Sequence, residues 1–378
     1  MAFPSSMMAF ACVASMLVSA SAVAAPSPTI VEYAIPTPAS GAASIARGPD
    51  GDLWFTENTA GKIGRITPTG AVTEFSLPAG AKPQSITAGP DRNLWFTDKG
   101  TNAIGRITTA GSVLEFALPA AGSYPYGITQ GPDGNLWFTE WRCGGCDPRA
   151  PGNGGTIGRI TPAGAIAEFT LPTYFSLPET ITPGPDGNLW FVETAANQFG
   201  RITPTGAVTE FAHVDGDYSA LSGITPGPDG NLWFTKIFSC YGLCTAPTNP
   251  IGKLTPSAVV VTEFAQPAFD SFAAVTSGPD GNLWFTDSSG YVGRATTQGA
   301  LTFYATPTSG SAPSGIASGP DGNVWFVETG ANKVAKIVIV PAGGVAVAAL
   351  PAASDYALVC LAVLLAFVAI LAERSRGL

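Results

Sequence analysis

A seven-bladed all-β propeller of four-stranded blades, closed by its own N-terminal strand, is predicted by three observations. The first is a segment close to Gly-Pro-Asp-Gly-Asn-Leu-Trp-Phe-Thr-Glu that occurs seven times, starting at Gly48, Gly89, Gly131, Gly184, Gly227, Gly278 and Gly319. These glycines stand 41, 42, 53, 43, 51 and 41 residues apart, which is the period of a four-stranded blade. The second is that no stretch between residues 26 and 345 sustains a 3.6-residue apolar period without a Gly or Pro interrupting it, so helix is excluded. The third concerns the ends. The seventh unit supplies only three strands, and Ile30-Val31-Glu32-Tyr33-Ala34-Ile35-Pro36 matches Val72-Thr73-Glu74-Phe75-Ser76-Leu77-Pro78 position by position. The N-terminal segment therefore completes the last blade and leaves no free sheet edge.

Each element of the first unit follows from its residues. Ser44-Ile45-Ala46 leads into Gly48-Pro49-Asp50-Gly51, where Pro presets one backbone angle and Asp-Gly tolerates positive φ, the chemistry of a hairpin turn. Residues 53–57 form the second strand, 62–67 the third and 72–77 the fourth, and Pro78 ends the unit. Such a sheet buries neither face alone, so Trp54, Trp95, Trp137, Trp190, Trp233, Trp284 and Trp325 are assigned to the gaps between blades. The turn aspartates, from Asp50 to Asp321, are read as structural. Arg65, Arg106, Arg159, Arg201 and Arg294, with Glu74, Glu115, Glu168, Glu210 and Glu263, are read as solvated outer-strand charges of small individual worth.

Composition and the two termini bound the compartment. A net charge of −9 with 12% charged residues offers no basic stripe for phosphates and excludes a nucleic-acid partner. Residues 1–24 read as a secretory signal, with an apolar run and the small-residue pattern Ala22-Val23-Ala24, although no Lys or Arg precedes that run. Residues 25–344 are the propeller. Residues 345–378 contain a 17-residue apolar stretch, 356–372, followed by Glu373-Arg374-Ser375-Arg376, long enough for a single span with the tail inside and the propeller outside. The expected location is the bacterial cell envelope or cell surface, and the expected state is a monomer. Cys143 and Cys146 lie in one inserted loop, Cys240 and Cys244 in another. In an exported chain, one disulfide within each loop is the first reading, and a zinc site built from all four thiolates is the alternative.

Candidate site residues sit at the ends of second strands. Those ends read Glu57, Asp98, Glu140, Glu193, Lys236, Asp287 and Glu328. Aimed at a common channel mouth, six carboxylates would raise each other's pKa or recruit Mg²⁺ or another divalent cation. Their alternative role is to cap their own strands in solvent. In the fourth unit Glu179 opens the first strand and Glu193 closes the second, an arrangement suited to sharing a proton or a metal; Glu140, Glu179 and Glu193 are the candidate metal ligands. Around them are placed Tyr126, Trp141, Ser222, Lys236 and Asp287 as binding residues, with a Glu179–Lys236 ion pair as the purely structural alternative. His213, the only His, falls in the loop entering the fifth unit and is a candidate general base, or else a solvated loop residue.

The unit Ile-Thr-x-Gly-Pro-Asp-Gly-Asn-Leu-Trp-Phe-Thr-Glu, followed by Ile-Gly-Arg-Ile-Thr-Pro and Glu-Phe-x-Leu-Pro, resembles the virginiamycin B lyase (streptogramin lyase) family across residues 29–340. The resemblance implies a propeller that opens a cyclic antibiotic ester by elimination, using Mg²⁺, a His at the start of first strands and a nearby Glu. That His stands fourteen residues before the strand-two Glu, and the matching positions here are Ala43, Gln84, Tyr126, Glu179, Ser222, Ala273 and Ser314. None is His. The C-terminal segment, beginning at Leu350-Pro351-Ala352-Ala353-Ser354-Asp355-Tyr356, resembles IPTL-CTERM and PEP-CTERM sorting signals, which implies a transient anchor; a permanent anchor is the other reading. Three functions follow as expectations: a surface-displayed module binding a small molecule, glycan or protein at the channel mouth; a divergent metal-dependent C–O lyase with Glu179 as base and Glu193 or Glu140 on the metal; or a scaffold whose Cys-bearing loops dock a partner protein.

Overall fold

The computed structural model describes residues 28–142, 154–213, 219–238, 251–264 and 272–339. The expected signal segment, the C-terminal apolar stretch and all four loop cysteines lie outside them. Within them the chain forms seven four-stranded antiparallel sheets and no helix. Blade 1 runs through Ala42–Arg47, Leu53–Glu57, Lys62–Ile66 and Val72–Ser76. The repeat carries the same plan into blades 2 to 6. In blade 7 the order is Pro313–Ser318, Val324–Glu328 and Lys333–Val338 paired with Thr29–Ala34 from the N-terminus. Against expectation, the third and fourth strands of blade 1 stop one residue short, at Ile66 and Ser76.

The seven tryptophans fill the gaps between blades as the pattern requires, each at most 1% exposed. Trp54 stacks on Phe75 of its own fourth strand, centroids 5.4 Å apart, and its indole N–H donates to Asp50 at 3.2 Å. The turn aspartate thus satisfies the one polar atom that burying the indole would strand. Gly48 is required by the same contact, because a Cβ there would sit 2.5 Å from the Trp54 ring. Gly64 is required by the next, since its Cβ would meet the Phe55 ring at 2.1 Å. Arg65 lies over both Trp54 and Phe75, at 5.7 and 5.8 Å, and Arg106, Arg159 and Arg201 repeat the arrangement. The reading of these arginines as merely solvated is therefore corrected: each covers the outer edge of an aromatic stack, a contact worth about 0.5–1 kcal/mol at a partly exposed site.

Closure is both laddered and ionic. Six residues of the N-terminal strand pair with the third strand of blade 7, from Thr29 with Val338 to Ala34 with Lys333. Tyr33 then stacks on Trp325 at 5.7 Å, and the Glu32 carboxylate accepts the Thr308 amide at 2.9 Å, its hydroxyl at 2.7 Å, and the Lys333 ammonium. A chain lacking residues 29–36 is expected to melt at least ~10 °C lower, since 1 kcal/mol already shifts a domain of 150–250 residues by about 2–4 °C. A melting curve identical to that of the intact chain would refute the closure.

Candidate functional site

First strands line the axis, and every blade in which the full hairpin is described carries a register shift near the start of that strand. In blade 4 the shift falls between Pro178 and Ile181; in blade 1, between Ala42 and Ile45. The bulge turns the shifted residues into the channel and leaves a backbone amide without a ladder partner. In blades 1, 2, 3, 5 and 6 a second-strand threonine takes it. In blade 3, the Gly127 amide donates to Thr139 Oγ1 at 2.8 Å, and that hydroxyl donates to the Glu179 carbonyl of blade 4 at 2.7 Å. Thr56 and Thr97 make the same two bonds, ending on the Gln84 and Tyr126 carbonyls at 3.1 and 2.6 Å. Each channel residue is thus held by the blade before it.

The result is a cavity of about 250 Å³ at the mouth of the channel, lined by Ala43, Gln84, Tyr126, Glu179, Ser222, Ala273 and Ser314 together with their neighbours Ser44, Ser85, Gly127, Thr180, Ala274, Gly315 and Thr329. The seven positions found by counting fourteen residues back from the strand-two ends are therefore the channel wall. Glu179 is the only lining residue with a carboxyl group. Burial pushes that carboxyl up to about 7, with the Thr194 hydroxyl acting the other way. Tyr126 lies beside it, its phenol driven upward by burial and by the Glu179 charge, and its ring stacks on Trp141 at 4.7 Å. Glu179, Tyr126 and Ser222 line one cavity, and Trp141 stacks on Tyr126.

The strand-two ends are not at the mouth, and here the sequence reading is corrected. Glu57, Asp98, Glu140, Glu193, Lys236, Asp287 and Glu328 are all fully buried. Because Glu193 pairs with Pro178 while the bulge redirects Glu179, the two carboxyls diverge: Glu193 accepts from Gln198 at 3.0 Å and faces Glu210. Glu140 pairs with Arg142 at 2.9 Å, and Arg142 bridges on to Glu168. Glu57 lies against Glu74, whose carboxylate is held by Lys62 at 2.8 Å and by the Thr37 amide and hydroxyl. Lys236 pairs with Glu263 at 2.9 Å. Asp98 and Asp287 cap their own turns, on the Gly100 amide at 2.8 Å and the Ser289 amide at 2.9 Å. The strand-four glutamates are partners in these buried clusters, not solvated charges.

His213 is likewise absent from the mouth. It is 9% exposed, bonds Glu263 at 3.1 Å through Nε2 and packs edge-on against Phe199 and Phe234. Burial works to raise Glu263, but hydrogen bonds from His213 and Lys236 outweigh it and hold the carboxyl below its usual range. Among the described residues no group of three or more His, Cys, Asp or Glu side chains is placed to hold a metal ion. Glu140, Glu179 and Glu193 do not converge, so the donor set at the channel does not fit the Mg²⁺ that the family resemblance implies. No helix among the described residues is long and apolar enough to cross a membrane.

With this geometry in place, known proteins supply the family. The virginiamycin B lyase family model matches residues 17–239 and 154–360. The chain belongs to the virginiamycin B lyase family. A solved streptogramin B lyase is 33% identical with a TM-score of 0.71, covering 82% of this chain and 97% of that one. A virginiamycin B lyase from Staphylococcus aureus, solved as a catalytically inactive His-to-Ala variant with quinupristin, is 36% identical with a TM-score of 0.73, covering 83% and 100%. The virginiamycin B lyase of Saccharopolyspora erythraea is 46% identical over 50 residues, 13% of this chain and 17% of that protein. The shared scaffold of the virginiamycin B lyase family thus carries, in this member, a channel wall with Glu179 as its one carboxyl.

The buried acids set the pH response. Burial, first, and a neighbouring glutamate in Glu57 and Glu328 raise these two carboxyls from 4.5 to about 7; Glu140 and Glu193 rise likewise. A raised acid holds its proton in the folded state after the unfolded chain has released it, so its stabilising contribution is complete below about 4.5 and is lost as pH rises through about 7. The melting temperature is expected to fall between about pH 5 and pH 8, and the double variant Glu57→Gln, Glu328→Gln to flatten that slope; a slope unchanged by the substitutions would contradict the assignment. Thr139→Val is expected to cost about 1–3 kcal/mol in denaturant titrations, by leaving the Gly127 amide and the Glu179 carbonyl without their shared partner.

Proposed function

We propose that this chain is an exported propeller of the virginiamycin B lyase family that captures a small molecule at its channel mouth without the family's His-based elimination. The observation that carries this reading is the channel wall itself: all seven positions matching the family's His are other residues. The single His is packed between blades against Glu263, and the strand-two acids are buried away from the cavity. What is left at the mouth is a concave surface of hydroxyls, one amide, one phenol and one carboxyl, the make-up of a binding pocket.

One observation favours a second reading. Glu179 stands at a His-equivalent position with its carboxyl pushed up to about 7, where a general base works well at neutral pH. As base it would take a proton from the carbon next to a carbonyl, whose electron pair forms a C=C bond to the adjoining carbon as that carbon's bond to the ester oxygen breaks and the bonding pair leaves on the carboxylate. Such ring opening yields an isomer of unchanged mass, so the assay is chromatographic separation followed by fragmentation. Incubated with quinupristin, the protein is expected to return the cyclic compound intact. Appearance of the linear isomer, at a rate cut at least ~100-fold by Glu179→Gln, would overturn the binding reading in favour of catalysis.

A further inference from the structure

We infer that the channel mouth selects a ligand carrying an ammonium group, which seats against the Glu179 carboxylate; this rests on the reading of the mouth as a ligand site.

The argument begins with what the wall has left to offer. Its hydroxyl protons are largely committed to joining blades: Ser222 donates to the Ala273 carbonyl at 3.0 Å, and Thr329 to the Ala42 carbonyl at 2.6 Å. Ser314 shares a hydrogen with Thr329 at 2.8 Å. A hydroxyl whose proton is spent still presents lone pairs, so these groups face a ligand as acceptors. Glu179, when ionised, is acceptor only. Beside the two donors of the wall, the Tyr126 hydroxyl and the Gln84 amide, Glu179 and these hydroxyls therefore present acceptors, and an ammonium group, with three donors and no acceptor, complements them.

Charge leads to the same class. Glu179 is the one lining residue with a carboxyl group, and among the described residues no cation acts on it: its proton affinity is set by burial and by the Thr194 hydroxyl. The charged groups on the elements around it hold partners other than Glu179, even where one reaches the cavity-lining Gln84. Glu193 on the adjoining second strand faces Gln198 and Glu210, Lys236 of blade 5 bonds Glu263 at 2.9 Å, and Tyr126 of blade 3 keeps its proton because burial and the Glu179 charge disfavour phenolate. Lys99 of blade 2 is tied to the Gln84 amide oxygen at 3.0 Å. A half-buried carboxyl without a counter-ion is costly to ionise, and an incoming ammonium removes that cost. The overall charge of −9 draws cations toward the molecule.

Benzylamine and benzyl alcohol differ mainly in that group, and both suit a cavity of about 250 Å³. Isothermal titration of the full chain at about pH 8 is expected to show benzylamine binding at least ~10-fold more tightly than the alcohol, the scale of one hydrogen bond to a charged group. The preference should shrink at about pH 5.5, where Glu179 retains its proton, and vanish in Glu179→Gln, with its melting curve measured alongside as the check on folding. Equal binding of the two compounds, lost in Tyr126→Ala, would sink the ammonium inference while upholding the channel as a ligand site. Binding of either compound that survives both Glu179→Gln and Tyr126→Ala would place it outside the channel and sink the inference as well.

Discussion

Seven sheets converging on one axis bring the backbones of their first strands close together, in blades 3 and 7 closer than a side chain permits. A Cβ on Gly127 would stand 2.3 Å from the Glu179 carbonyl, and one on Gly315 2.6 Å from the Ala43 carbonyl. Strands packed this tightly cannot also keep a regular ladder with their own second strands, and the register shifts near their starts relieve the conflict. The relief exposes backbone groups near the axis, and second-strand threonines bind them in pairs, one bond within the blade and one to the next. In blade 4, where Val192 takes the threonine's place, Thr180 on the first strand bonds the Ser222 carbonyl instead, and in blade 7, where Val327 does, Ser314 bonds the Ala43 carbonyl at 3.3 Å. Channel shape, blade-to-blade cohesion and the presentation of Glu179 are consequences of that one packing constraint.

The same geometry divides the acids into two populations. Those at strand-two ends fall between blades, where burial would be prohibitive for isolated charges. They are tolerated because each meets a local arrangement: a lysine or glutamine from the third strand, Arg142 just after the second, a glutamate from the fourth, or the amides of its own turn. At blade 5 the pattern is inverted: Lys236 and His213, the latter just before the blade, converge on Glu263. Glu179 is different in kind. It stands on the bulge and not on a ladder, faces a cavity in place of a neighbouring blade, and has no ionic partner among the described residues.

Within the virginiamycin B lyase family this separates what the scaffold demands from what the site demands. Gly48, Asp50 and Trp54 act together in one contact, a close approach, an indole cap and a stacked ring, and they recur because every blade meets its neighbour in the same way. The channel positions obey no such packing rule. Ala43, Gln84, Tyr126, Glu179, Ser222, Ala273 and Ser314 all satisfy the same backbone, so the wall can change its chemistry while the ring stands.

Blade number, strand order and the closing strand are legible in the chain because they rest on local chemistry: turn residues at a fixed offset, alternation along short strands, and a segment matching Val72 to Pro78. The fourteen-residue offset locates the channel positions too, since equivalent residues of a closed ring face the same axis. Which way a strand-two glutamate points is another matter. Glu193 and Glu179 are near neighbours across one hairpin, and only the bulge sends one between blades and the other into the channel. The fate of His213 depends on Glu263, fifty residues away and on the far strand of its blade. Sequence determined the ring, because its signals repeat within each blade; tertiary structure decided the site, because a register shift and contacts between blades set the direction of its side chains.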